Sequence, residues 1–255
     1  IKCIVIASGN DASVAMAEHI AGNEPEFVNA MNKKAQALGM KNTHFVDCCG
    51  LTDSDDHYTT AYDIALMSRE LIRKYPEILN YSSVWMDTIT HNTRQGSKEF
   101  GLSNTNRLIR TYEGCVGLKT GSTSKAKFCV SAVAKRKGIT LIAVVMAAPD
   151  SRTRVKDASM LFDYGFAKCS LYTDENPGKL PDLKVIKGIK EKTTLTFGKT
   201  FRCLSTDGTT FDKIKKKLIL PNEVKAPVKK GQKAGELVYY CLLYTSPSPR
   251  DRTRS

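Results

Sequence analysis

The stretch KTGSTSKAKFCVSAVAKRKGITLIAVVM, residues 119–146, decides the fold. Phe128 to Ala134 and Ile139 to Met146 are runs rich in β-branched and apolar residues. They flank a basic turn, Lys135-Arg136-Lys137-Gly138, and this pattern predicts two antiparallel strands joined by a hairpin. Just upstream stands Lys119-Thr120-Gly121, placed to open a strand. Outside this stretch the period is helical. Residues 11–39 carry Val14, Ala17 and Ile20 on one face and Phe27, Met31, Ala35 and Leu38 on another, with a break near Gly22 and a stop at Gly39. Residues 59–74 form a second helical segment, capped by Thr59 or Thr60, turning Ile64, Leu66, Met67, Leu71 and Ile72 inward and ending before Pro76. Residues 155–164 predict a closing helix, and Ile4 to Ala7 read by propensity as a strand.

From about residue 169 the texture changes to short β-branched runs, Thr193 to Phe197, Lys217 to Leu220 and Glu236 to Tyr240, separated by Gly and Pro turns. They predict a small, mainly β domain over 169–240 after a first domain over 1–168. The last segment, 241–255, ends in Thr-Ser-Pro-Ser-Pro-Arg-Asp-Arg-Thr-Arg-Ser without periodicity. It reads as an unstructured tail of sequencing read-through.

Composition narrows the functional classes. Hydrophobic residues make up 41% of the 255 residues and charged residues 25%, enough for one good core and a smaller second one in a globular, soluble chain. Ile4 to Ala7 and Leu141 to Pro149, the longest apolar runs, fall far short of the roughly 20 residues a membrane helix needs. The net charge of +13 is uneven: 21 basic against 17 acidic side chains over 1–168, but 15 against 8 over 169–240. Lys213, Lys215, Lys216 and Lys217 read first as a solvated surface, and second as an attraction to an anionic envelope polymer or lipid surface. Nucleic acid is excluded as a partner because no basic helix, zinc spacing or aromatic RNA-binding signature accompanies the charge. Eight cysteines contain no Cys-x-x-Cys pair, and His19, His44, His57 and His91 are scattered, so no metal or other cofactor is expected.

Two short motifs carry chemistry. Ser8-Gly9-Asn10 stands at the mouth of the first helical segment and Lys119-Thr120-Gly121 before the hairpin. A Ser hydroxyl can relay a proton to a leaving amine, an Asn amide can hold a peptide backbone, and a Lys ammonium suits a substrate ending in a carboxylate. Gly121 lets a ligand strand come close, and the amide of Ser122 is placed to donate to a developing oxyanion. Taken singly, Ser8 to Asn10 reads equally well as a helix cap and Lys119 as a surface lysine.

The flanks make the pattern specific. Ser8 to Ala12, Phe27-Val28-Asn29-Ala30-Met31-Asn32, Leu38 to Phe45, Tyr58 to Asp63, Asn104-Thr105-Asn106 and Asp163-Tyr164-Gly165-Phe166 resemble the D-alanyl-D-alanine carboxypeptidase family, the low-molecular-mass penicillin-binding proteins. Val224 to Tyr240, with Pro227-Val228-Lys229-Lys230-Gly231, is similar to the β-rich domain that follows the catalytic domain there. The resemblance implies an α/β serine acyltransferase fold, β-lactamase/transpeptidase-like, with an antiparallel sheet and surrounding helices. It also implies that Ile4 to Ala7 end a helix rather than form a strand. Ser8, Asn10 and Lys119 would be catalytic. Thr120, Gly121, Ser122 and Arg154 would bind substrate, Arg154 aiding the carboxylate.

The partners implied are a peptidoglycan pentapeptide ending in D-Ala-D-Ala and β-lactam antibiotics, in an extracytoplasmic location, with peripheral membrane association through a C-terminal segment. The family nucleophile lies in a Ser-x-x-Lys motif upstream of Ser-Gly-Asn, and only seven residues precede Ser8. The chain therefore reads as incomplete at its N-terminus and inactive by itself. Its two Ser-x-x-Lys matches, Ser122 to Lys125 and Ser124 to Lys127, fall in a turn into a strand. The rival readings are a class A-like β-lactamase, which would carry Ser-Asp-Asn where Gly9 stands, and a non-catalytic peptidoglycan-binding module.

Overall fold

In the computed structural model, the described residues are 1–94, 96–211 and 214–241. They divide into two compact units that part between Phe166 and Ala167.

The first unit begins with helices whose ends are written in the sequence. A short helix α1, Lys2–Val5, takes Ile4 and Val5 of the run that propensity alone assigns to a strand, and Ile6 and Ala7 follow in a turn, so the run ends a helix as the family resemblance implies. Helix α2, Asn10–Ala21, stops where Gly22 turns to φ 84° and returns its N–H to the Glu18 carbonyl. Helix α3, Glu24–Ala37, starts with the Asn23 side chain accepting from the Glu26 N–H at 2.9 Å and with Pro25 in the first turn. Helix α4, Ala61–Lys74, is capped by the Thr60 hydroxyl, which accepts from the Asp63 N–H. A 3₁₀ turn at Pro76–Ile78 leads into the short helix α5, Leu79–Ser82. Next comes a hairpin of β1, Met86–Thr93, and β2, Gly96–Ser103. Its polar strands carry no apolar alternation, so sequence periodicity does not reveal them. After helix α6, Leu108–Thr111, come β3, Cys115–Thr123, β4, Lys127–Arg136, and β5, Ile139–Ala148. Helix α7, Ser151–Lys168, outruns the expected 155–164 because the Asp150 carboxylate accepts from the N–H groups of Arg152 and Thr153 and starts it early.

The sheet is antiparallel in the order β3-β4-β5. The expected pairing of Phe128–Ala134 with Ile139–Met146 is present: Ala132 faces Ala143 and Val133 faces Ile142. The turn is tighter than expected. Strands run to Arg136 and from Ile139, and Lys137 and Gly138 alone cross over, both with positive φ (47° and 77°), which suits the right-handed twist of the strands.

Central strand β4 is buried on both faces. Val130, Ala132 and Ala134 pack with Leu108, Tyr112, Ala158 and Phe162, while Val133 meets Leu79 and Leu118, with Leu71 and Ile72 of α4 against them. Ser131 on the second face shares a 2.7 Å hydroxyl hydrogen bond with Ser68 of α4, both buried. An antiparallel sheet covered by helices on both faces gives its central strand the continuous apolar run seen in the sequence.

Two expectations for α4 and β3 need correction. Met67 is 37% exposed rather than inward. The inward positions of that helix include Asp63, whose carboxylate accepts from the Asn42 N–H and the Thr43 hydroxyl, and Ser68. A search for apolar residues passes over such polar core contacts. Lys119-Thr120-Gly121 lies inside β3, four residues after its start, rather than opening it. The strand begins earlier because Gly117, at φ 138°, lets it pass where a Cβ would collide with the Ser82 side chain.

The second unit is built of three small sheets. They pair β6, Ser170–Thr173, with β9, Arg202–Ser205; β7, Leu183–Ile186, with β8, Lys192–Thr193, and in parallel with β11, Glu223–Lys225; and β10, Ile214–Ile219, with β12, Glu236–Cys241. The run Thr193 to Phe197 contributes only its first residue to a strand. Lys216 departs from the solvated-surface reading: its ammonium donates at 2.7 Å to Asp174, a nearly buried carboxylate that also accepts from the Tyr239 hydroxyl. Tyr239 in turn stacks on Phe201 with ring centroids 3.7 Å apart. Lys213 lies outside the described residues, and so do residues 242–255 of the expected tail; Cys241 belongs to β12.

Deleting the Phe162 ring should cost about 3–5 kcal/mol of unfolding free energy, because it is fully buried between sheet and helix. Met67→Ala should stay within about 0.5 kcal/mol, as expected for a surface position. Urea denaturation of both variants checks the pair; equal losses would contradict this packing.

Candidate active site

Ser8 lies in the break between α1 and α2 with φ 58°, a left-handed conformation costly for a residue with a Cβ. The break is held from behind by the Gly9 N–H, which donates to the Cys3 carbonyl at 3.0 Å. Gly9 is the N-cap of α2 and Asn10 its first residue. The N-cap position is thus Gly9's, and the Ser8 hydroxyl instead accepts from the Lys119 ammonium at 2.8 Å. Lys119 also donates to the Thr120 carbonyl at 2.7 Å.

Ser8, Asn10 and Lys119 line one cavity of about 310 Å³, whose wall also includes Val5, Cys48 and Cys49. Burial in this cavity, and secondarily the nearby Arg154 charge, bring the Lys119 ammonium down from 10.5 to about 8. Lys119 is accordingly no ordinary surface lysine. An amine at that level holds and releases a proton near neutral pH, which suits an acid–base relay.

Arg154, in the first turn of α7, is 6% exposed, and burial lowers its guanidinium from its ordinary value. One terminal nitrogen donates to the carbonyls of Gly121 at 3.4 Å and Cys129 at 3.1 Å, while its Nε has no hydrogen-bond partner. Arg154 thus supports β3 through the backbone and does not line the cavity.

Thr120 is buried, with its hydroxyl bonded to that of Thr105. Thr105 belongs to the Asn104-Thr105-Asn106 segment. Its neighbour Asn104 donates its amide to the carbonyls of Ser82 and Val84 and accepts from the Asn106 N–H. Thr105 is the site-neighbouring residue that motif reading missed; the repeated Asn around it was the available signal. At Gly121 a Cβ would meet nothing within 4 Å, so this part of β3 is open. Ser122 is the next residue on the same strand.

The two Ser-x-x-Lys matches span the turn from β3 into β4. Lys125 donates to the Asp53 carbonyl at 2.9 Å and pairs with the Asp55 carboxylate. Lys127 opens β4 opposite Thr123. Among the described residues, no group of three or more His, Cys, Asp and Glu side chains is placed to hold a metal ion.

A lysine on an antiparallel strand, bonded to a serine at a helix mouth and flanked by α-helices, is consistent with the serine acyltransferase-like fold that the resemblance implies. Residues 1–150 match the D-alanyl-D-alanine carboxypeptidase family and residues 173–242 the penicillin-binding protein 5 C-terminal domain; the chain belongs to the D-alanyl-D-alanine carboxypeptidase family. It is 41% identical over 239 residues to the D-alanyl-D-alanine carboxypeptidase DacF of Bacillus subtilis, covering 93% of this chain and 60% of that protein. The crystal structure of penicillin-binding protein 5 from Haemophilus influenzae superposes with a TM-score of 0.64 at 32% identity, covering 94% of this chain and 68% of that one. Penicillin-binding protein D2 from Listeria monocytogenes, in an ampicillin-bound form, gives 0.56 at 34% identity, covering 65% of each chain. The chain spans about 60% of the length of the curated relatives it matches.

The depressed Lys119 can be tested directly. Its folded-state value lies below the ordinary one, so the buried charge lowers stability below about 8, and that cost fades as pH rises toward 10.5. Lysine-directed labelling of the native chain, followed residue by residue with mass spectrometry, should give Lys119 a midpoint near about 8. Arg154→Gln should move that midpoint upward by removing a like charge; an unchanged or lower midpoint would contradict the coupling.

Proposed function

We propose that this sequence serves a serine D-alanyl-D-alanine carboxypeptidase that removes the terminal D-alanine of peptidoglycan peptides through an acyl-enzyme and is acylated by β-lactams. The observation carrying this reading is the Lys119–Ser8 hydrogen bond at the mouth of a cavity that Asn10 also lines. Ser8 relays a proton between Lys119 and the departing amine, and the Asn10 amide holds the peptide backbone. Thr120, Gly121 and Ser122 run alongside the substrate, with the Ser122 amide donating to the developing oxyanion. Arg154, whose guanidinium lies behind Gly121, favours the terminal carboxylate by its charge. The names of the Bacillus and Haemophilus relatives support the reaction, and the ampicillin-bound Listeria structure supports β-lactam acylation. Work on peptidoglycan implies an extracytoplasmic location, and the basic excess suits peripheral attraction to an anionic envelope surface. No helix among the described residues is long and apolar enough to cross a membrane.

Covalent catalysis needs a nucleophile within reach of its base, and we infer that neither Ser-x-x-Lys match in these 255 residues serves as one, since both lie in a turn into a strand and Lys125 is bonded to Asp53. A polypeptide of these residues alone should form no adduct with a fluorescent penicillin. Joined behind an upstream segment carrying the Ser-x-x-Lys motif that the family resemblance implies, it should be labelled and release D-alanine from a D-Ala-D-Ala peptide. Lys119→Ala in that fusion should cut acylation by roughly 10- to 150-fold, the loss of an ionic hydrogen bond worth about 1.5–3 kcal/mol. Rapid penicillin release without D-alanine would replace the reading with a β-lactamase. A labelled band from the unfused chain that vanishes with Ser122→Ala or Ser124→Ala would place the nucleophile within it.

A further inference from the structure

Cys48 and Cys49, adjacent in sequence, both stand in the wall of the cavity that holds Ser8 and Lys119, and neither has a role in the chemistry above. The other six cysteines are far apart in the chain. Both thiols are free and partly accessible, in a run of bends between two isolated bridging residues, His44 and Tyr58.

Carboxylates pin the backbone of this pair. The Glu24 carboxylate accepts from the Cys48 N–H at 3.0 Å, and the Asp47 carboxylate accepts from the N–H groups of Cys49, Gly50 and Thr52. The backbone of the pair is thus fixed where both residues line the cavity. Desolvation first, and then the neighbouring Glu24 carboxylate, push Cys48 up to about 12. Cys49 is raised by burial, with smaller contributions from Asp47 and Glu24. The charged groups around the pair are Glu24 of α3, Asp47 of its own segment and, across the cavity, Lys119 of β3.

We propose that Cys48 and Cys49 form a dithiol modification site in the wall of the cavity, at which a small-molecule disulfide oxidises the pair to a vicinal disulfide. The Cys49 sulfur attacks the disulfide R–S–S–R, forms Cys49–S–S–R and expels one RS⁻. The Cys48 sulfur then attacks the Cys49 sulfur, closes the Cys48–Cys49 bond and expels the second RS⁻. Two protein thiols are oxidised, one disulfide is reduced to two thiols, and the protons lost by the cysteines pass to the leaving RS⁻ groups. Cys49 attacks first because the Glu24 carboxylate, which accepts from the Cys48 N–H, stands nearer Cys48 and disfavours its thiolate. Glu24 acts as a brake, since a neighbouring carboxylate disfavours the attacking thiolate. The inference rests on the cavity wall alone and does not depend on the acyl-transfer reading.

The native 255-residue chain, treated with one equivalent of dithiodipyridine and mapped by peptide mass spectrometry, tests this. The peptide bearing Cys48 and Cys49 should lose two hydrogens and carry no pyridyl group, with two pyridinethiones released per oxidised pair. Cys48→Ser should leave a persistent pyridyl adduct on Cys49. Glu24→Gln keeps the hydrogen-bond acceptor and removes the charge, and should speed oxidation of the pair. A pair that stays reduced while other cysteines consume the reagent would overturn the proposal, as would a stable pyridyl adduct on the unaltered pair. A Glu24→Gln rate equal to or below that of the unaltered chain would overturn the brake.

Discussion

Everything at the candidate site depends on one constraint: the Lys119 ammonium must reach the Ser8 hydroxyl across 111 residues of chain. Ser8 can meet it only because the α1–α2 break tolerates a left-handed serine, fixed by the Gly9–Cys3 backbone hydrogen bond. Lys119 can meet it only because β3 is aligned on β4, whose two buried faces are clamped by α7 on one side and by α4 and α5 on the other. The hydrophobic core holds the strand in place, and the strand holds the lysine.

The same packing sets the electrostatics. A lysine held in an apolar-walled cavity, with the Arg154 charge nearby, loses part of the solvation that keeps ordinary lysines protonated, which brings it down to about 8. Arg154 contributes without entering the cavity. Its hydrogen bonds to the Gly121 and Cys129 carbonyls tie the end of β3 to β4, and its charge acts through the strand. The Thr105–Thr120 hydroxyl pair ties the same strand to the loop after β2.

Much of this was legible in the sequence where a single period or cap decides the structure. The hairpin about Lys137 and Gly138, the Thr60 cap and the Gly22 stop follow from local chemistry, and Ser8, Asn10 and Lys119 from motif order. What local reading missed depends on contacts distant in sequence. The β1–β2 hairpin has no alternating apolar face, Met67 yields its expected place to Asp63 and Ser68 through polar bonds to other elements, and β3 starts early because of Ser82. Helix α1 was misread by propensity and recovered by family resemblance, since four apolar-rich residues suit a strand as well as a helix. In the second unit Lys216 resembled any surface lysine until Asp174 was seen beneath it.

The central claim is that Ser8 and Lys119 work as one proton-handling unit. A double-mutant cycle on penicillin acylation, with Ser8→Ala, Lys119→Ala and both together in the fusion carrying an upstream Ser-x-x-Lys segment, tests it most directly. A shared unit predicts that the double variant is no slower than the slower single variant, because either change already disables the relay. Losses that multiply would show that the two residues act independently and would contradict the account.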